Sequence, residues 1–86
     1  MITYDDYVSS LLVWCLRLEE NIRQVSVQCR DLPQRNRLSV FMDRVQTFIA
    51  YLYGLQELKT PHLIEHIEFY AASLYNEWRG MDRNNL

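Results

Sequence analysis

Eighty-six residues, 49% hydrophobic and 23% charged with a formal net charge of −2, make a single domain with enough apolar content to pack a core. Two glycines and two prolines exclude a glycine-rich phosphate loop and a turn-dense β-sandwich, and nine basic against eleven acidic side chains leave no excess to attract nucleic acid or an anionic membrane. The longest unbroken apolar run, Leu11 to Leu16, falls far short of the ~20 residues a membrane helix needs, and the acidic opening lacks the basic start of a signal peptide.

The first element opens at Thr3, a helix N-cap residue with Asp6 three positions on; Ile2 and Tyr7 are spaced as a hydrophobic staple around it. Apolar side chains then recur at Tyr4, Val8, Leu11, Cys15, Leu18, Ile22, Val25 and Cys29, in alternating steps of four and three. That spacing keeps one seam on one side of a helix. Helix 1 is predicted over residues 4–30, ending before Pro33 because proline disfavours α conformation in the residue that precedes it. On one helix Cys15 and Cys29 lie about 21 Å apart, too far to form a disulfide within the chain. Two small buried thiols in a reducing compartment are expected, and the cytoplasm is the expected location.

The second element carries Leu38, Phe41, Val45, Phe48, Leu52 and Leu55 at the same spacing and is predicted over residues 37–58. Asn36 is one candidate cap. Asp31 with Gln34 is another, since Pro33 is tolerated in a first turn. Gly54 lies inside this helix, as a weak point on its polar side or as a site where another backbone approaches.

Thr60-Pro61 is the clearest boundary in the chain, a cap residue followed by proline at the first helical position. Helix 3 is predicted over residues 61–79, with Ile64, Ile67, Ala71, Leu74 and Trp78 as its seam and Leu63, Tyr70 and Tyr75 widening it. Gly80 stands where a left-handed cap would end it, and residues 81–86 form a tail. Short connections make neighbouring helices antiparallel, so the expected fold is all-α, an up-down-up three-helix bundle spanning residues 1–86 as one domain.

Helix 1 carries more apolar surface than two partner helices can cover. Val13 and Leu16 project away from its seam, with Trp14 between them, and Tyr53 and Val40 lie outside the seam of helix 2. Singly exposed apolar side chains are ordinary, but a cluster of them on one helix points to a protein–protein contact, most simply a two-fold homodimer. Eleven aromatics, and eight arginines against one lysine, are residue types favoured at such contacts. In an up-down-up bundle one end gathers Arg30, Arg35, Arg37, Arg79 and Arg83 against Asp31, Glu77 and Asp82. An acidic protein surface or a phosphate backbone could dock there.

His62-Leu63-Ile64-Glu65-His66 matches the H-x-x-E-H zinc-peptidase pattern, with both histidines on one helix face. A catalytic zinc also needs a third ligand and a sheltering cleft, and the twenty residues after His66 supply no second lobe. The expectation is therefore no metal, no cofactor and no catalytic site. The sequence reads as a non-catalytic protein that works by binding another protein, as an inhibitor, anti-activator or chaperone-like adaptor of a larger complex. Val13, Trp14, Leu16, Arg30, Arg35, Arg37 and Tyr53 are the candidate contact residues. The alternative is a small DNA-binding regulator using the arginine-bearing end. A helix-turn-helix built from helices 2 and 3 is disfavoured, because Glu65, Glu68 and Glu77 would face phosphate.

Overall fold

The computed structural model describes residues 3–58 and 64–81, and among them every regular element is an α-helix. Three helices follow in order, α1 (Tyr4–Gln28), α2 (Leu32–Leu58) and α3 (Ile64–Gly80). Ile2, Lys59, His62, Leu63, the Thr60-Pro61 boundary, Asp82, Arg83 and the rest of the tail lie outside the described residues. No described helix is long and apolar enough to cross a membrane.

α1 begins as its sequence dictates. The Thr3 hydroxyl accepts from the Asp6 backbone N–H at 3.1 Å, which satisfies one of the first-turn donors that have no partner within the helix. The helix stops two residues short of expectation. Cys29 turns extended (φ −80°, ψ 124°) as the C-cap, and its side chain is 4% exposed, plugging the corner.

α2 starts five residues earlier than the predicted Arg37. Asp31 caps it: its carboxylate accepts from the Gln34 N–H at 3.2 Å and its carbonyl from the Arg35 N–H at 2.9 Å. Pro33 then sits in the first turn, where a missing N–H costs nothing. Asn36 lies inside the helix and is not the cap. Only residues 29–31 therefore join α1 to α2.

The core is made by Val8, Leu12, Cys15, Leu18 and Ile22 of α1, the six seam residues of α2 with Ile49 added, and Ile67, Leu74 and Trp78 of α3. Each fully buried large side chain contributes about 1.5–3 kcal/mol. Leu12 takes the buried place expected of Leu11, which is only half-buried. A Cβ added at Gly54 would meet no atom within 4 Å, so no backbone approaches there. Gly80 closes α3 in helical conformation, not as the left-handed cap anticipated from its position.

Among the described residues α1 and α2 are the helices whose backbones run within 8 Å of each other over an extended stretch. Polar bridges mark their register: Gln46 donates to Glu19 at 3.3 Å and Gln56 to Ser9 at 3.1 Å. α3 is met by rings. Phe41 stacks on Trp78 at 5.8 Å, Phe48 on Tyr70 at 4.8 Å, and Trp14 tilts against Tyr75 at 6.4 Å. Arg44 forms an ion pair with Glu77 beside them.

Candidate protein-binding face

Exposed apolar side chains occur on all three helices, Val27, Leu32, Val40 and Phe69 among them, and two, Val13 and Leu16, lie together on the outer side of α1. Val13 is 49% exposed and Leu16 43%, although the helix as a whole supplies five residues to the core. The cause is angular. At about 100° per residue, Val13 and Leu16 fall on the side of α1 opposite Leu18 and Ile22, and no later segment among the described residues reaches round to them. Tyr53 is 51% exposed. The Gln46–Glu19 and Gln56–Ser9 bridges set Tyr53 level with Leu12 along the helix pair.

Trp14 belongs to another surface. It is half-buried, with its ring against Tyr75, and lines a shallow groove with Leu11, Ala71 and Ala72. Val13 and Leu16 thus lie within two residues of Trp14 in sequence but on a different surface.

The arginines are dispersed as well. Arg30 lies in the α1–α2 connection, and Arg35 and Arg37 lie in the first turns of α2; all three are exposed, and none forms an ion pair with a carboxylate among the described residues. Arg35 faces a groove shared with Arg23, Val27 and Met42, whereas Arg37 faces one shared with Val40, Glu77 and Met81. Two residues apart on a helix means about 200° of rotation, so the two guanidinium groups cannot grip one ligand. Arg79 packs over the Tyr75 ring at 5.6 Å, a cation–π contact.

A second exposed apolar region was not singled out by spacing. Thr47, Phe48, Tyr51, His66, Phe69 and Tyr70 line an open groove between α2 and α3, and Phe69 is 79% exposed. Phe69 follows Ile67 by two residues, which carries it to the far side of α3; its angle is the signal that locates it.

Both cysteine thiols are buried. Cys15 is completely buried, and burial pushes its thiol up to about 12. Cys29 is buried too, with its sulfur donating to the Asp31 carbonyl at 3.5 Å. Burial also raises the Tyr7 hydroxyl, and the nearby Glu68 carboxylate adds to that shift. His66 is exposed, and among the described residues no three His, Cys, Asp or Glu side chains cluster as metal ligands. No family model matches this chain, and no curated protein or solved structure matches it.

Proposed function

We propose that this chain is a non-catalytic helical protein that acts by occupying a surface on another protein, as an inhibitor, anti-activator or chaperone-like adaptor of a larger complex, and that it self-associates. The observation that carries this reading is the exposure of Val13 and Leu16 on one outer face of α1, with Tyr53 of α2 exposed at the same level along the helix pair. The three helices are taken as an up-down-up bundle. Support for that packing comes from the rings that join the start of α2 to the end of α3, Phe41 with Trp78, and their middles, Phe48 with Tyr70. In such a bundle α1's outer face is left without an intramolecular partner. Arg30, Arg35 and Arg37 would orient an acidic partner from the adjoining end. The divergence of Arg35 and Arg37 weighs against phosphate-backbone binding as the primary role.

The test is affinity capture from native extract with the wild-type chain and with the Val13→Glu and Leu16→Glu variants. A stoichiometric protein partner retained by wild type and lost with both variants, at unchanged helical circular dichroism, supports the reading. Equal retention by all three would overturn it.

A further inference from the structure

The outer face of α1 has a second regularity besides its apolar residues. Asp6, Ser9, Val13, Leu16, Glu20 and Arg23 follow one another in steps of three and four, and all six are exposed. They form a continuous stripe on the back of a helix whose front is already buried, spaced as one strand of a coiled coil. Read from its two ends toward the middle, the stripe is complementary to itself: acidic Asp6 against basic Arg23, hydroxyl Ser9 against carboxylate Glu20, apolar Val13 against apolar Leu16.

We propose that this stripe pairs with the same stripe of a second copy, antiparallel, about a two-fold axis passing between Val13 and Leu16. Each Val13 then meets Leu16 of the other copy at the centre, each Ser9 meets Glu20, and each Asp6 meets Arg23 at the rim. Ser9 also accepts from Gln56 of its own chain, and the Asp6 contact adds to the exposed pairs that Arg23 makes with Glu19 at 3.4 Å and Glu20 at 3.8 Å within its chain. This rests on the reading of α1 as an association face and names its occupant and register. A two-fold interface requires that residue i meet j while j meets i, and this order of residues meets that requirement. Competing arrangements are worse on the same residues. A parallel pair sets Asp6 on Asp6, Glu20 on Glu20 and Arg23 on Arg23, like charge on like at three levels. Sliding the antiparallel pair by one heptad puts Val13 on Arg23 and Leu16 on Glu20, burying aliphatic groups against charges. Sliding it by two heptads sets Leu16 on Val27 and Glu20 on Arg23, but α1 ends at Gln28, so Val13 and every residue before it are left unpaired. Tyr53, level with Leu12, flanks the centre and adds an aromatic side chain where interface energy concentrates. Antiparallel pairing also carries the Arg30, Arg35 and Arg37 ends to opposite poles of the dimer, and because another protein docking on Val13 and Leu16 would displace the second copy, the two associations exclude each other.

Cysteine cross-linking tests the register in the full-length chain. Ser9→Cys with Glu20→Cys places thiols about 16 Å apart along one helix, too far to pair within a chain but adjacent across the proposed axis. Leu16→Cys with Val27→Cys does the same for the two-heptad slide. The native Cys15 and Cys29 are buried and remain as a common background. Under mild oxidation the first double variant is expected to give mostly covalent dimer, at least tenfold faster than either of its single variants, while the second stays at the level of its singles. Faster cross-linking of the second double variant, or a first double variant no faster than its singles, would overturn the proposed register. A charge exchange gives a second readout. Asp6→Lys and Arg23→Glu should each weaken dimerisation about fivefold, and the combined variant should regain most of that loss; no recovery in the combined variant counts against the pairing. Failure of the broader reading looks different: the wild-type chain would stay monomeric and Leu16→Glu would change nothing. Association abolished by Leu16→Glu but cross-linked in the wrong pattern would overturn the register alone.

Discussion

The α1–α2 pair and α3 are held by different means. α1 and α2 are joined by three residues and their backbones approach closely over an extended stretch, with the small Cys15 and Val45 side chains fully buried. α3 buries three residues, Ile67, Leu74 and Trp78, and reaches its neighbours largely through rings and one ion pair. Small side chains let backbones come close; large rings hold a helix at longer range and place much of its adhesion in a few residues. α3 is therefore the element expected to open first, and the α1–α2 hairpin the unit that persists.

The largest expected effect comes from removing a ring. Trp78→Ala deletes the stack on Phe41 and should cost about 3–5 kcal/mol, with amide protection lost throughout α3 before α1 or α2. Uniform loss of protection across all three helices would mean that α3 is no separate unit. Next comes alkaline pH. The Cys15 thiol moves from its ordinary 9.0 to about 12 in the fold because the buried site disfavours thiolate. A raised value means the stabilisation is complete below pH 9 and declines as pH climbs toward 12. Tyr7, also raised, acts in the same direction. Denaturation midpoints measured from pH 8 to 11 should fall, and Cys15→Ala should flatten part of that fall. A smaller effect of opposite sign is expected at Gly54. With open space around it, Gly54→Ala should stabilise the chain by up to about 1 kcal/mol by thermal melting. Smallest is Arg44→Gln. Its ion pair with Glu77 is about a third exposed on both sides, so the loss should stay below about 1 kcal/mol.

The seam of α2 was legible residue by residue, since Leu38, Phe41, Val45, Phe48, Leu52 and Leu55 are all buried. Spacing alone decides such a face. The start of α2 was not legible, because Asp31 and Asn36 both offer a cap and only the hydrogen bond to Gln34 decides between them. Leu11 and Leu12 exchanged roles because the side from which α2 covers α1 is set by tertiary packing, which one helix's periodicity does not contain. The exposure of Val13 and Leu16 could be read from their angle on α1. The exposure of Phe69 could likewise be read from its angle two residues after Ile67, whereas that Trp14 turns toward α3 required knowing where α3 lies.

Whether α1's outer face is an association surface is tested most directly by sedimentation equilibrium of the wild-type chain beside Leu16→Glu over a wide concentration range. The wild-type mass should rise from one chain toward two as concentration increases, while Leu16→Glu stays at one chain with its helical circular dichroism intact. A wild-type chain that remains single at every concentration, or a Leu16→Glu chain that dimerises as readily as wild type, would contradict the account.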